Sequence, residues 1–213
     1  MPQGTHKGRP YVAARCEHMY DPEKHHRRSI RLRHYDYSQP GLYYVTIVVN
    51  DRRCLFGDVV DAQMVESEAG KMIREVWNQL PCRFLSVALD RFIVMPNHMH
   101  GIIRLVVGAR CDGPDDGGAA TRGAATRAAP TLGDVVGAFK SLATHAYTIG
   151  VKQRGWQRFN GTLWQRNYYE HVVRDEFEWA GIQNYIRDNP LNWTLDCENP
   201  DARATDEEEP WRY

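Results

Sequence analysis

The 213-residue chain has no long apolar run and no net excess of positive or negative charge. Its longest apolar stretches, such as GLYYVTIVV, are far shorter than the roughly 20 residues that a membrane-spanning helix needs. The start, MPQGTHKGRP, has none of the apolar character of a secretory signal peptide. We therefore expect a cytoplasmic protein. With 42% hydrophobic and 25% charged residues, it is most simply one globular domain with added segments.

Cysteine is too scattered to build a disulfide framework. The five cysteines are odd in number and no two form a Cys-x-x-Cys pair: Cys16, Cys54, Cys82, Cys111 and Cys197. This pattern favours reduced thiols and gives no zinc knuckle.

The zero net charge conceals an uneven distribution. Residues 1–34 carry a net charge of +5 and residues 195–213 carry −5. A second basic stretch, from Lys140 to Arg174, is interleaved with aromatic side chains. Cations for phosphates beside aromatic faces for bases indicate a surface for single-stranded nucleic acid. A solvated basic face over core aromatics would give the same pattern.

Hydrophobic periodicity predicts the order strand, helix, strand, strand, helix, strand, helix. The corresponding segments are GLYYVTIVVN, residues 61–79, FLSVALDRFIVM, HMHGIIRLVV, residues 131–149, residues 162–169 and residues 175–189. Residues 162–169 are predicted to be either a short strand or an extended segment. In the last helix Asp175 is a suitable N-cap, with Glu178 three residues on, and Pro190 disfavours helical geometry at Asn189. The order predicts an α+β domain, most simply a ferredoxin-like, mainly antiparallel sheet with helices packed on it.

Composition divides the chain into three parts. Residues 1–26 are predicted to be a flexible basic leader, residues 27–193 the folded domain and residues 194–213 an acidic tail. Within the domain, residues 108–130 are rich in Gly and Ala, contain the near-repeat GAATR and are predicted to be a disordered loop. The tail is either a solvated end or a segment that occupies the basic surface when nucleic acid is absent.

Two histidines interrupt the apolar run VMPNHMHGIIRL. Successive side chains of a strand point to opposite faces, so His98 and His100 share one face and Met99 lies behind them. Imidazole is the commonest metal ligand and a switchable base, which favours a joint site over two structural histidines.

The predicted last helix contains NYIRDNP, in which Tyr185 and Asn189 are four residues apart and share a face. Taken alone, the tyrosine could be a core residue and the asparagine a C-cap. Tyr168 and Tyr169, just before Glu170 and His171, compete with Tyr185 as candidate nucleophiles.

Together these motifs resemble the REP-associated tyrosine transposases, bacterial members of the IS200-like, single-tyrosine HUH transposase superfamily. YYVTIVVNDRRCLFG, VMPNHMHGII, GAFKS and LWQRNYYEHVVRDEFEWAGIQNYIRDNPLNW carry the resemblance, which covers residues 27–193. It implies an HUH endonuclease domain in which His98, His100 and Asn189 hold Mg²⁺ or Mn²⁺ and Tyr185 is the nucleophile. Better-known relatives have glutamine at the position of Asn189.

The resemblance also implies a substrate. It points to single-stranded DNA hairpins of repeated palindromic elements, cleaved and joined through a 5′-phosphotyrosine by a monomer or homodimer with no membrane partner. We expect backbone contacts from basic residues of both stretches: Arg27, Arg28, Arg31, Arg33, Lys140, Lys152, Arg154, Arg158 and Arg166. The alternative is a catalytically inactive, domesticated hairpin-binding protein. A histidine-triad nucleotide hydrolase would need a third alternating histidine where this chain has Ile102.

Overall fold

The computed structural model describes residues 35–106 and 130–202. The predicted leader, residues 108–129 of the predicted loop and residues 203–213 of the acidic tail lie outside the described residues.

The described chain contains six strands and four α-helices, together with 3-10 helices at Asn50–Arg52 and Asn189–Leu195. The strands are β1 Gly41–Val48, β2 Gly57–Val60, β3 Gln63–Glu66, β4 Val87–Val94, β5 His98–Leu105 and β6 Tyr169–Val173. The α-helices are α1 Glu68–Asn78, α2 Leu80–Arg83, α3 Leu132–Arg154 and α4 Glu176–Asp188.

Four of the strands form one antiparallel sheet in the order β4-β5-β1-β6. Helix α1 lies in the chain between β1 and β4, and α3 lies between β5 and β6, which gives the β-α-β-β-α-β order of a ferredoxin-like domain. Residues of α1 and α3 pack in the large core on one face, and α4 packs in a smaller cluster on the other. The predicted α+β, ferredoxin-like fold class is confirmed.

The helix predicted over residues 61–79 is wrong in its first third. Residues 57–66 form the β2–β3 hairpin, with a turn in which Asp61 and Ala62 have positive φ angles of 48° and 59°. Such a turn usually contains glycine or asparagine, so this one gives little sequence signal. Helix α1 begins only after Ser67, whose hydroxyl accepts a hydrogen bond from the Gly70 N–H.

The segment over residues 162–169, predicted to be a short strand or an extended segment, is an extended connection that leads into β6 at Tyr169. The strand that pairs with β1 is β6, and the earlier segment touches the sheet through one bridge between Val49 and Trp164. Leu163 and Trp164 are buried in the core as parts of a connection, and this burial produces the apolar signal.

The predicted start of the last helix is confirmed, because the Asp175 carboxylate accepts a hydrogen bond of 2.8 Å from the Glu178 N–H. The α-helix ends at Asp188, but Asn189 keeps helical angles (φ −57°, ψ −41°) despite the following proline. A 3-10 helix continues to Leu195. Pro190 therefore changes the type of helix instead of ending the helical path, and the chain turns back over the sheet.

Strand β5 has two different faces. In the β1–β5 register His98 lies opposite Val48 and His100 opposite Thr46, so the histidines face α4. Met99 and Ile103 are fully buried on the other face, in the core with α1 and α3. As predicted from the alternation of a strand, neither histidine fills the main core.

Gly101 allows a tryptophan of α1 to lie directly on β5. A Cβ at this position would lie 2.5 Å from Cζ2 of Trp77, which is fully buried. We predict that Gly101→Ala lowers the free energy of unfolding by about 1–3 kcal/mol, because the added methyl overfills the core. Chemical denaturation monitored by tryptophan fluorescence measures the loss.

Gly137→Ala is the matched control, because an added Cβ there meets nothing within 4 Å on the exposed side of α3. We expect it to stabilise the helix by about 0.5–1 kcal/mol. Equal stability of Gly101→Ala and the unsubstituted chain would contradict the packing argument.

Candidate metal centre and nucleophile

The two histidines predicted from the sequence lie side by side and buried. Their Nε2 atoms are 3.0 Å apart and their ring centroids 4.6 Å apart. His98 has no exposed surface and His100 is 3% exposed. Two imidazole nitrogens thus converge on one point above the β5 backbone.

The buried side chain of Asn97 orients His98. Its amide nitrogen donates to the carbonyls of Arg52 and Glu198, at 2.9 and 2.6 Å. These two donations identify the other amide atom, 2.9 Å from Nδ1 of His98, as the oxygen. Because that oxygen can only accept, His98 carries its hydrogen on Nδ1 and keeps a lone pair on Nε2.

Two hydroxyls of β1 lie beside His100. Its Nδ1 is 2.7 Å from the Tyr44 hydroxyl and 2.9 Å from Oγ1 of Thr46. The Thr46 hydroxyl also donates to the Tyr44 oxygen at 3.1 Å. Both histidines therefore have Nδ1 in a hydrogen bond and Nε2 turned toward the other ring.

Burial keeps the two imidazoles neutral. It lowers the pKa of His98 to about 4, and it lowers the pKa of His100 well below its usual value, an effect to which the neighbouring His98 adds. A neutral imidazole offers the lone pair that a metal ion needs, whereas an imidazolium does not.

Helix α4 brings the predicted nucleophile to this pair. The Tyr185 ring centroid is 5.2 Å from that of His100 and 6.3 Å from that of Tyr44. Burial raises the pKa of Tyr185, and the nearby negative charge of Asp196 adds to this, while hydrogen bonding from Asn189 opposes it. The phenol is therefore protonated at neutral pH.

Asn189, the predicted third ligand, is buried at the end of α4. Hydrogen bonding from its side chain also lowers the pKa of Asp196, which places the amide among the site residues. Among the described residues its Oδ1 makes no hydrogen bond of full geometry, although the Asn189 side chain is close enough to His98 to oppose the lowering of that imidazole's pKa. A buried carbonyl-type oxygen without a donor is energetically unfavourable unless something else, such as a cation, satisfies it.

Asp196 is a site residue that the sequence analysis missed. Its Oδ2 lies 3.7 Å from Nε2 of His98, and ligand atoms of His98, His100 and Asp196 all lie within 4.8 Å of one another. Burial raises the pKa of the carboxyl. The sequence places Asp196 in the acidic tail, and only the 3-10 helix after α4 returns it to the histidines.

These donors fit a divalent cation. Two imidazole nitrogens, a carboxylate and an unpaired amide oxygen form a mixed nitrogen and oxygen set. Such a set binds several first-row metals and also Mg²⁺ when water and phosphate oxygens complete the shell.

The other candidate tyrosines lie elsewhere. Tyr169 pairs with Thr46, and its ring packs edge-on against that of Tyr44, with centroids 6.1 Å apart. It therefore lies on the same face as the histidines, but its ring packs against Tyr44, which lies beside His100. Tyr168 packs against the main core, with Nζ of Lys140 5.4 Å from its ring. The neighbouring His171 has its Nε2 atom 2.5 Å from Oε1 of Glu178.

The predicted DNA-contacting residues have different surroundings. Lys152, Arg158 and Arg166 are exposed, whereas Arg154 lies 3.8 Å from the Glu68 carboxylate. The Lys140 ammonium donates to the backbone carbonyls of Gln165, Arg166 and Asn167. Burial lowers the pKa of Lys140 to about 8. The four arginines of the leader, from Arg27 to Arg33, lie outside the described residues.

No helix within the described ranges is both long and apolar enough to cross a membrane.

The fold and site together define a class: a ferredoxin-like α+β domain with a sheet-borne histidine pair, a helical tyrosine and a carboxylate in one cluster. No protein-family model matches the chain. A Haemophilus influenzae protein of uncharacterised function is 38% identical over 182 residues, which cover 83% of this chain and 95% of that protein. The chain belongs to the same protein family as this Haemophilus influenzae protein.

Two solved structures are similar in part. One is a REP-associated tyrosine transposase bound to a REP hairpin, at 20% identity and a TM-score of 0.48, covering 76% of this chain and 73% of that one. The other is a candidate transposase from Deinococcus radiodurans, at 20% identity and a TM-score of 0.39, covering 74% and 95%.

We predict that Asp196→Asn weakens Mn²⁺ binding by about tenfold or more, because the substitution keeps the shape of the side chain and removes the negative charge that faces the cation. Isothermal titration calorimetry on the purified chain measures the affinity. Asp201→Asn, five residues further on and exposed, is the control and should bind as the unsubstituted chain does. Unchanged affinity in Asp196→Asn would show that this carboxylate is not a ligand.

Proposed function

We propose that the chain is a transposase: a sequence- and structure-specific, single-stranded DNA endonuclease and strand transferase that acts on hairpins of repeated palindromic elements. One observation carries this proposal. A tyrosine from α4 and a neutral histidine pair from β5 meet in one buried cluster, with 5.2 Å between the Tyr185 and His100 rings. A phenol beside ligands for a divalent cation is a set of groups that suits phosphotyrosine chemistry at a DNA phosphate.

A Mg²⁺ or Mn²⁺ ion would be held by His98, His100 and Asp196, with Asn189 as a further oxygen donor, and would supply charge neutralisation at the phosphate. The four side chains fix where the phosphate sits. The histidines do so as neutral ligands that burial prevents from protonating.

Tyr185 supplies the attacking oxygen. Its Oη forms a bond to phosphorus, the bond from phosphorus to the 3′ oxygen breaks, and the departing strand takes a proton to become a free 3′ hydroxyl. The 5′ phosphate stays on the tyrosine as a phosphodiester. A 3′ hydroxyl can therefore reverse the step on a new partner without ATP. Because burial raises the pKa of Tyr185, its proton has to leave as attack occurs.

Basic side chains would hold the hairpin through its backbone. Leu163 and Gln165 exchange hydrogen bonds with Asn50 and Val48, so the segment that carries Arg166 lies at the end of the sheet where β5 begins with His98. Lys140 supports this segment through the carbonyls to which it donates. The exposed arginines there are suited to phosphate contacts.

The burial of the histidines favours a second candidate, a hairpin-binding protein without chemistry. A DNA phosphate reaches His98 and His100 only after part of their cover moves, and the Trp193 ring, 6.0 Å from that of His98, belongs to this cover. Formation of a covalent adduct separates the two functions.

We predict that Tyr185→Phe abolishes the covalent adduct with a labelled single-stranded hairpin in Mn²⁺ and leaves hairpin affinity nearly unchanged, because only the attacking oxygen is lost. Denaturing electrophoresis detects the adduct, and fluorescence anisotropy measures affinity. Tyr168→Phe is the matched control, since its ring lies in the other core. If Tyr185→Phe still forms the adduct and Tyr169→Phe does not, the nucleophile is Tyr169 and the assignment of Tyr185 is wrong. No adduct from the unsubstituted chain would favour the binding protein.

We predict that Arg166→Ala weakens hairpin binding and reduces the slope of log affinity against log salt by about one, the value for one lost phosphate contact. Anisotropy titrations at several salt concentrations give the slope. Arg83→Ala, an exposed arginine of α2 outside the predicted surface, should leave it unchanged. An equal effect of both substitutions would mean that Arg166 contributes only general charge.

A further inference from the structure

The two histidines are held by different kinds of partner. The Asn97 amide oxygen can only accept, so the hydrogen of His98 is fixed on Nδ1. The hydroxyls of Tyr44 and Thr46 can donate or accept, so they suit either neutral form of His100. The hydrogen of His100 is therefore free to be on either nitrogen.

Without a cation, the short distance between the two rings selects one of these two neutral forms of His100. With Nε2 atoms 3.0 Å apart and a lone pair on that of His98, the facing Nε2 of His100 has to carry a hydrogen and donate it. In that form Nδ1 of His100 accepts the Tyr44 hydroxyl hydrogen at 2.7 Å. The ring nitrogens of both histidines thus have hydrogen-bond partners without a cation.

A cation shared by both Nε2 atoms changes the requirement at His100. Both atoms then need lone pairs, so the single hydrogen of His100 has to lie on Nδ1 while the ring stays neutral. A buried N–H without an acceptor is costly. The Tyr44 oxygen, with Thr46 as a second acceptor, is the group in place to receive it.

Tyr44 also contacts the nucleophile. Its ring stacks on His100, with centroids 5.6 Å apart and planes inclined by 24°, and it meets Tyr185 edge to face at 86°. Its own fraction exposed is 6%, so the ring is held in place by its neighbours. One side chain thus lies between the metal ligand and the attacking phenol.

We propose that Tyr44 is a positioning residue with two roles. Its hydroxyl accepts the Nδ1 hydrogen of His100 when a cation binds both Nε2 atoms. Its ring holds Tyr185 against the site. The role of the ring rests on the proposed function. The role of the hydroxyl concerns cation binding and can be tested without DNA.

The test of the hydroxyl compares Mn²⁺ affinity by calorimetry on the full chain. Tyr44→Phe should weaken binding about 10–100-fold, the usual effect of removing a group that orients a metal-binding histidine. Tyr43→Phe is the matched control: the neighbouring tyrosine is equally buried, but its hydroxyl donates to the Gln39 carbonyl on the opposite face. Equal affinities of Tyr44→Phe and the unsubstituted chain would overturn this part. If Tyr44→Phe does not fold, Thr46→Val removes the second hydroxyl at Nδ1 of His100 and the hydrogen bond that Thr46 donates to Tyr44, and a several-fold loss of affinity is expected.

A spectroscopic measurement follows the hydrogen directly. Side-chain ¹⁵N chemical shifts of the histidines distinguish Nδ1–H from Nε2–H, and Zn²⁺ serves as a diamagnetic cation. We expect His98 to stay in the Nδ1–H form throughout, and His100 to change from Nε2–H to Nδ1–H as Zn²⁺ is added. An Nδ1–H form of His100 both before and after addition would overturn the proposed exchange.

The test of the ring uses adduct formation at saturating Mn²⁺. Tyr44→Phe keeps the ring but also loses the hydrogen bond that Tyr44 makes to Tyr185, so it should regain part of the adduct, whereas Tyr44→Leu should regain none. Equal recovery of both variants would overturn the role of the ring. If the unsubstituted chain binds Mn²⁺ but forms no adduct, the proposed function fails, and the calorimetric comparison still decides the role of the hydroxyl. Absence of any cation binding would overturn both proposals.

Discussion

The antiparallel pairing of β1 with β5 is the interaction on which the site depends. Its register sets Thr46 opposite His100, so the hydroxyls of β1 come to lie beside an imidazole nitrogen of β5. A shift by one residue would turn both histidines into the main core and Met99 out of it, because side chains alternate between faces. The buried apolar residues of both strands therefore fix the chemistry on the opposite face as well as the fold.

Helix α4 and the 3-10 helix after it complete what the sheet begins. Helical spacing puts Tyr185 and Asn189 on one face, and the continued turn returns Asp196 to within 3.7 Å of His98. Buried acids, imidazoles and amides are unfavourable unless they are paired. Here the unpaired amide oxygen of Asn189 and the raised pKa of Asp196 both indicate an environment that a cation would satisfy.

The opposite face of β5 gives this cluster a rigid support. Trp77 lies on the backbone at Gly101, and Phe139 meets the Trp77 ring edge to face, with centroids 5.3 Å apart. Close packing of this kind leaves a strand little room to move. A histidine pair with Nε2 atoms 3.0 Å apart needs such support, since small displacements would change its geometry. The side chains over the pair come from three separate segments: Tyr185 of α4, Trp193 of the 3-10 helix and Asp196 after it.

The sequence by itself determined the features that depend on local periodicity. Alternation along β5 put His98 and His100 on one face, helical spacing joined Tyr185 to Asn189, and the order of elements gave the ferredoxin-like class. It failed at the β2–β3 hairpin, whose turn has no glycine. It left open whether residues 162–169 pair as a strand, because a buried extended connection gives the same apolar signal. The sequence could not predict Asp196 as a site residue, because an acidic residue in an acidic tail has the same sequence pattern whether it is solvated or folded back. Only the tertiary structure decided which distant groups meet. Contacts between Asp196 and His98, or between Tyr44 and His100, depend on how separate segments pack, and residues far apart in the chain leave no periodic signal of that packing.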